Sequence, residues 1–174
     1  MKFLQEANCY WITGLSGSGK TSMVNLLSKY ITSHQKPVLK LDGDELRNIF
    51  GSISYSSEER LRNGYRFSSL CNLVVEQKIN VVIGVMGLFH ELRNWNKINI
   101  KNYIEIYLDT PISELIKRDP KGLYKKAIDG EINDVAGVNM EVELPNNPDI
   151  HIKWNKNKSV DDTFNEILKN LNFL

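Results

Sequence analysis

Five short runs rich in apolar residues divide the chain, and longer segments with apolar residues at helical spacing separate them. The runs lie at residues 9–13, 38–41, 81–86, 103–108 and 149–152. The third run reads VVIGVM and is almost continuously apolar, which is typical of a strand buried on both faces of a parallel sheet. The pattern therefore predicts five β-strands, with the third strand near the centre of the sheet.

The segments between the runs carry the start and stop signals of helices. Apolar residues recur at helical spacing after the first run, and Pro37 ends that pattern, so the first helix should end near 33–35. Ser56 with Glu59 three residues later is a capping-box signature, which predicts a long helix over about 57–77. Shorter helices are expected at 45–50 and within 87–99.

Two further helices are expected in the second half of the chain. Asp109 or Thr110 should cap a helix that runs to about residue 117, with a proline in its first turn. The segment SVDD at 159–162 should cap a C-terminal helix that ends near residue 170. Strands and helices that alternate in this way predict an α/β fold of three layers with a mainly parallel, five-stranded sheet.

The stretch between the first run and the first helix reads GLSGSGKT, which is the pattern of a phosphate-binding P-loop. Its glycines let backbone N–H groups surround phosphate oxygens, and Lys20 adds a positive charge. Thr21 can offer its hydroxyl to Mg²⁺, while the first helical turn points free amides at the anion. We therefore expect a bound nucleoside triphosphate. The residues predicted to bind it are Gly14, Ser16, Gly17, Ser18, Gly19, Lys20, Thr21 and Ser22.

Asp42 and Asp44 directly follow the second run, at the carboxyl end of a predicted parallel strand, where such sheets place their chemistry. Phosphoryl transfer needs a phosphate cradle, a metal ion and an acceptor hydroxyl held in line. The two carboxylates could bind Mg²⁺ through water or accept the proton of that hydroxyl, and the sequence leaves the division of roles open. Their alternative interpretation is a capped turn at the start of a short helix.

Other classes of P-loop protein fit the sequence less well than a small-metabolite kinase. A GTPase should carry the guanine-binding motif Asn-Lys-x-Asp, but the segments at 96–99 and 155–158 end in Asn and Lys. Asp109 could imitate the strand-end acid of a motor ATPase, but the Thr-Pro pair after it favours a helix cap. Acids after the second strand are the arrangement expected of a kinase.

Composition limits the picture further. A chain of 174 residues, 41% of them hydrophobic, fits one domain spanning 1–174. Its net charge of +1 favours neither nucleic acid nor an anionic membrane as a partner. Cys9 and Cys71 are expected to be buried thiols, and the chain to be cytoplasmic, since it shows no leader and no membrane-spanning run. The three histidines do not have the spacing of metal ligands, so we expect no structural zinc site. We expect the three tryptophans to pack rather than contact ligands, namely Trp11, Trp95 and Trp154.

Several motifs beyond the P-loop resemble those of the adenylylsulphate kinase family. They are LDGDELR at 41–47, SEER at 57–60 with Asn63, RDPKGLYKKA at 118–127 and PNNPDI at 145–150. The resemblance covers most of the chain. It implies a kinase that moves the γ-phosphate of MgATP to the ribose 3′-hydroxyl of a nucleotide whose 5′-phosphate bears a sulphate. It also implies a homodimer, and the Gly-rich segment at about 118–145 is expected to form a mobile, partly helical lid.

Carried over by position, the resemblance assigns roles to individual side chains. Arg47, Arg60 and Asn63 would hold the acceptor nucleotide, and a guanidinium can bind two phosphate oxygens at once. Tyr55 would stack on the acceptor base, Lys121 would reach its anionic tail and Arg118 would approach ATP. The full acceptor set is Asp42, Arg47, Tyr55, Arg60, Asn63, Gly87, Leu88 and Lys121. The catalytic set is Lys20, Asp42 and Asp44, and the metal set is Thr21 and Asp44.

The chain departs from the family pattern on the acceptor side, whereas the ATP side is intact. Val135 stands where the family has an aromatic residue that closes over the acceptor's adenine. The segment MGLF at 86–89 replaces Ile-Ser-Pro-Tyr, and NMEV at 139–142 replaces Asp-Asp-Pro-Tyr. A pocket rebuilt only there suggests the same reaction on another nucleotide.

These departures resemble an offshoot of the family that is associated with capsule polysaccharide clusters. That offshoot phosphorylates cytidine diphosphoramidate at its ribose 3′-hydroxyl. A pyrimidine offers less stacking area than adenine, so the loss of one aromatic wall costs it less. The expected acceptor is therefore cytidine diphosphoramidate, with adenylylsulphate as the main alternative. A regulatory nucleotide-binding module without turnover is an alternative of another class.

Overall fold

The computed structural model of the protein describes residues 6–173 and contains one β-sheet. Its five strands are all parallel and lie in the order β2-β3-β1-β4-β5. They are β1 Cys9–Thr13, β2 Val38–Asp42, β3 Asn80–Val85, β4 Tyr103–Asp109 and β5 Ile150–Lys153. All five apolar runs therefore form the predicted strands, with ends shifted by at most a residue. The third strand is internal and fully buried, but the middle place belongs to β1.

Seven helices accompany the sheet in the described part of the chain. They are α1 Lys20–Ser33, α2 Gly43–Ile49, α3 Ser57–Glu76, α4 His90–Asn99, α5 Ile112–Arg118, α6 Leu123–Ile128 and α7 Val160–Asn170. The predicted caps of α3 and α7 are confirmed, because the hydroxyls of Ser56 and Ser159 accept hydrogen bonds from the third residue beyond each. Helix α4 is longer than the short helix expected there.

The prediction that Asp109 or Thr110 caps α5 is wrong. Asp109 is the last residue of β4 and pairs with Lys153 of β5, so the sheet holds it in extended conformation. Its carboxylate accepts hydrogen bonds from the Tyr107 hydroxyl at 3.2 Å and from His151 Nε2 at 2.9 Å, and it makes no capping hydrogen bond to α5. Pro111 occupies the N-cap position instead, without a side-chain hydrogen bond.

Apolar side chains cover both faces of the sheet and give the predicted three layers. One core lies between the sheet and helices α1 and α7, and includes Leu27 and Ile167. The other lies under α3 and α4, and includes Trp11, Cys9 and Cys71, whose free thiols are buried as predicted. A hydrogen bond with Cys71, together with burial, raises the pKa of Cys9. The carboxyl ends of the strands stay open between the two layers.

The segment predicted as a lid contains α6 and shares a small apolar core with α5, in which Leu115 of α5 and Tyr124 of α6 are fully buried. The Tyr124 hydroxyl donates to the backbone oxygen of Ser16 in the P-loop at 2.8 Å, so the segment lies against the predicted phosphate site. That it moves stays a prediction. Within residues 6–173, no helix has the length and apolar character needed to cross a bilayer.

Candidate active site

A cavity of about 790 Å³ opens at the carboxyl edge of the sheet. The P-loop, the end of β2, the starts of α2 and α3, the end of β3 and the lid surround it. The predicted site residues that line it are Ser16, Gly17, Gly19, Lys20, Thr21, Ser22, Asp42, Asp44, Arg47, Tyr55, Arg60, Asn63, Gly87, Leu88 and Lys121. Residues separated by long stretches of sequence thus meet in one place.

Lys20 lies folded over the P-loop. Its Nζ donates hydrogen bonds to the backbone oxygens of Gly14 and Leu15, at 2.9 and 2.8 Å. Burial lowers the pKa of Lys20 to about 8, and the nearby Asp44 carboxylate opposes that shift. At neutral pH the amine is therefore still mostly protonated and offers a positive charge.

The loop itself depends on its glycines. A Cβ on Gly14 would lie 2.7 Å from both Leu108 O and Ser18 Oγ, so a larger residue has no room there. Gly19 has φ +98° at the N-cap of α1, a left-handed conformation that favours glycine, and it provides no side-chain cap. The first amides of α1 are in this way left to bind an anion.

The two predicted carboxylates have different surroundings. One oxygen of Asp42 accepts the backbone N–H of Asp44 at 2.9 Å and caps α2, so the alternative interpretation as a helix cap holds for that oxygen. The other oxygen accepts from the Thr21 hydroxyl at 3.3 Å. Asp44 forms an ion pair with Lys121 of the lid at 2.5 Å, which raises the pKa of Lys121. Asp42, rather than Asp44, therefore lies beside Thr21.

These oxygen donors suit a hard cation such as Mg²⁺. The Thr21 hydroxyl and the Asp42 carboxylate are in direct contact, and Asp44 is two residues away on the same helix start. Among residues 6–173, no cluster of three or more His, Cys, Asp or Glu side chains could hold a metal ion. In proteins, Mg²⁺ commonly takes one or two carboxylate ligands and completes its shell with phosphates and water.

Two guanidiniums flank the ring of Tyr55. Arg47 lies 4.1 Å and Arg60 5.3 Å from the ring centroid, so the ring lies beside two positive charges. Arg47 is 8% exposed, and among the described residues its Nε has no hydrogen-bond partner. Burial and the charge of Arg47 lower the pKa of Arg60, whose Nη2 donates to Asp134 O of the lid at 2.7 Å. The arrangement can bind an anionic group next to a flat ring.

The remaining acceptor positions are more closely packed. Asn63 is 1% exposed, donates to the Ser52 hydroxyl at 2.7 Å and accepts from Arg66 at 3.1 Å. Its contact with a nucleotide stays a prediction. The lid side of the cavity is mainly apolar, with Val135 among the residues that line it. That side offers aliphatic surface rather than a second aromatic face at Val135.

Two tryptophans that were expected only to pack also line cavities. Trp11 belongs to the core as expected, but it also lines the floor of the cavity beside Gly87, where an added Cβ would lie 3.2 Å from its Nε1. Trp154 was expected to pack, yet it lines a second cavity of about 130 Å³ together with Arg118 and Ser18. The Arg118 guanidinium lies 6.0 Å from its ring centroid. Neither position carries a local sequence signal, because both depend on how distant segments pack.

Comparison with known proteins gives consistent matches over most of the chain. The sequence profile of the adenylylsulphate kinase family matches residues 6–153. A cytidine diphosphoramidate kinase of Campylobacter jejuni is 38% identical over 135 residues, which are 78% of this chain and 79% of the relative. An adenylyl-sulfate kinase of Pseudomonas aeruginosa is 36% identical over 151 residues, which are 85% of this chain and 77% of the relative.

The fold has a close counterpart among solved structures. The Mycobacterium tuberculosis APS kinase in complex with AMPPNP and APS superposes with a TM-score of 0.86 at 30% identity, over 96% of this chain and 98% of that chain. The two relatives above are named for different acceptors at nearly equal identity, so similarity alone does not separate the acceptors.

Proposed function

The chain belongs to the adenylylsulphate kinase family, and we propose that it transfers the γ-phosphate of ATP to the ribose 3′-hydroxyl of cytidine diphosphoramidate. Membership of this family makes the protein an ATP-dependent phosphotransferase. The acceptor, the position phosphorylated and a place in capsule polysaccharide biosynthesis are the proposal.

The observation that carries this choice is Val135, at the position where the family has an aromatic residue. Val135 is 8% exposed and lines the same cavity as Tyr55, so this position offers the acceptor base an aliphatic surface where the family offers a ring. Cytosine loses less stacking energy than adenine when one ring is missing. Arg47, Arg60 and Lys121 would bind the diphosphate-like tail.

Adenylylsulphate is the second candidate. The similarity to the Pseudomonas aeruginosa adenylyl-sulfate kinase covers a larger share of this chain than the similarity to the Campylobacter jejuni relative. Tyr55 and both arginines, which this acceptor would also need, line the cavity.

The geometry suggests how the reaction would proceed. The amides at the start of α1 and the Lys20 ammonium would hold the β- and γ-phosphates, and the nucleoside of ATP would lie in the second cavity beside Arg118. Mg²⁺, held by Thr21 with Asp42 or Asp44, would neutralise charge on those phosphates. The acceptor hydroxyl would lie beside the two carboxylates, one of which takes its proton.

The proposal is tested by measuring ADP release with MgATP and each acceptor in parallel, using purified protein and a coupled assay. Phosphorus NMR of the product then locates the added phosphate. We expect the higher kcat/KM with cytidine diphosphoramidate. We also expect a new phosphorus signal from a phosphate group attached to the ribose 3′-oxygen. A higher value with adenylylsulphate would overturn the choice of acceptor, and no turnover with either would favour the regulatory module.

Restoring an aromatic side chain at residue 135 should move the preference toward adenine. We expect Val135→Phe to raise the ratio of kcat/KM for adenylylsulphate to that for cytidine diphosphoramidate by about two- to twelvefold, because an aromatic pair contributes about 0.5–1.5 kcal/mol. Val135→Leu adds volume without a ring and is the matched control. If both variants shift the ratio equally, pocket size rather than stacking sets the preference.

We also propose that the protein is a cytoplasmic homodimer that uses Mg²⁺. The support is the family resemblance for the dimer and the metal, and the composition for the location. Light scattering coupled to size-exclusion chromatography gives the mass of the assembly directly. A monomer mass, with unchanged activity at all protein concentrations, would contradict the dimer.

A further inference from the structure

A buried ion pair lies behind the acceptor side of the cavity, outside the residues assigned above. Arg93 of α4 and Glu105 of β4 have side chains that are 4% and 1% exposed, and Arg93 Nε lies 3.5 Å from Glu105 Oε1. The more exposed Lys97 approaches the other oxygen of Glu105 at 3.8 Å. Burial raises the pKa of Glu105 to about 7, while the charges of Arg93 and Lys97 oppose this shift.

Stability alone does not account for this pair. Removing two charges from water costs more than their attraction returns unless hydrogen bonds satisfy the remaining donors and acceptors. Within the described residues, Arg93 Nη1 and Glu105 Oε1 have no hydrogen-bond partner. Apolar side chains of similar volume would fill the same space at no greater cost in free energy. The reason for the pair is therefore sought in the other contacts of the Arg93 guanidinium.

Those contacts join two segments that are far apart in the chain. Arg93 Nη2 donates to His90 Nδ1 at 2.6 Å, and it also donates to Leu144 O at 3.3 Å. The Glu143 carboxylate accepts the backbone N–H of His90, and Glu143 N donates to Leu88 O at 3.3 Å. The start of α4 is thereby connected to the end of the lid segment.

Both connected segments supply walls of the cavity. Leu88 and Phe89 precede His90, Met140 and Val142 precede Glu143, and all four line the acceptor side. Glu105 lies inside the sheet, on the strand next to β1, so it fixes the guanidinium to a rigid element. The described residues of the P-loop take no part in these hydrogen bonds.

We infer that Arg93, held in place by Glu105, is a positioning residue for the acceptor nucleotide. It connects the 88–90 wall to the 143–144 end of the lid and so sets the width of the acceptor side of the cavity. It acts through these segments and does not touch the substrate. The expected effect on the acceptor KM rests on the proposed function. The connection between the two segments does not depend on it.

The test compares Arg93→Lys, Arg93→Met and the double variant Arg93→Met/Glu105→Gln. The double variant removes the buried carboxylate that would otherwise lose its partner, which protects folding. Arg62→Met is the matched control, because that arginine is exposed on α3 and, among residues 6–173, pairs only with Glu58 and Glu59. Steady-state kinetics are measured with whichever acceptor the unmodified protein uses faster, and hydrogen exchange is followed in the protein without substrates.

We expect the double variant to raise the KM for the acceptor about tenfold while the KM for ATP changes less than about twofold. The acceptor KM of Arg93→Lys should fall between those of the unmodified protein and the double variant, because an ammonium keeps the charge but not the forked geometry. Amides of 143–146 should exchange about tenfold faster, with α1 unchanged. Unchanged exchange at 143–146 would overturn the connection even if no acceptor is turned over. Faster exchange with an unchanged acceptor KM, or with equal rises in both KM values, would overturn the positioning role.

Discussion

Replacing Lys20 by alanine is expected to lower kcat/KM by about 10³-fold or more. The Lys20 ammonium donates hydrogen bonds to the carbonyl oxygens of Gly14 and Leu15, so it is held beside the loop that we propose binds the β- and γ-phosphates. Charge that spreads over the transferred phosphoryl group needs a fixed cation, and a methyl group supplies none. The coupled ADP-release assay measures the loss.

The control for this variant is Lys40→Ala. Lys40 lies on strand β2, and its Nζ donates to the side chain of Asn25 at 3.2 Å; neither residue lines the cavity. Its removal should leave kcat/KM within about twofold of the unmodified value. A thermal melt shows whether Lys20→Ala is folded. Near-normal turnover by a folded Lys20→Ala protein would refute the role assigned to Lys20.

The strands and the loop between β1 and α1 could be predicted because their signals are local. The P-loop pattern sets backbone conformation within eight neighbouring residues, and buried parallel strands are apolar whatever packs on them. The cap of α5 was mispredicted for the opposite reason. Asp109 looks like a cap in the sequence, but pairing with β5 extends β4 through it and gives its carboxylate to Tyr107 and His151.

Contacts across the cavity are beyond what a single sequence specifies. Lys121 and Asp44 are 77 residues apart, and the position of the lid segment beside the start of α2 brings their charges together. Glu105 alternates with isoleucines along β4, which indicates its face of the sheet but not its partner. The partner, Arg93, is identified by the packing of α4 on that face.

Neutralising Asp44 is expected to be the second most damaging single change. We expect Asp44→Asn to lower kcat by about 10²- to 10⁴-fold, the range for losing a group that takes a proton in the transition state. The carboxamide has nearly the same shape, but it neither accepts the hydroxyl proton nor carries the charge. The ion pair with Lys121 is also lost, but both side chains of that pair are more than half exposed, so its effect on stability should be small.

Asp42→Asn separates the role of a base from that of a metal ligand. An asparagine at residue 42 can still accept the backbone N–H of Asp44, so α2 keeps its cap and the variant should fold. Because Asp42 contacts Thr21, it is as well placed to hold the metal as the predicted ligand Asp44. Raising Mg²⁺ should partly restore whichever variant has lost a metal ligand, and the variant that has lost the base should not respond.

Glu45→Gln is the control for both carboxylate variants, since Glu45 is exposed on the same helix and does not line the cavity. Its kcat should remain within about twofold of the unmodified value. The pH dependence of kcat supplies an independent criterion, because removal of the base abolishes the fall in rate at acidic pH, whereas removal of a metal ligand retains that fall. If both aspartate variants keep near-normal kcat at every Mg²⁺ concentration, the acceptor hydroxyl is not activated at this end of β2, and the reacting groups must lie elsewhere in the cavity.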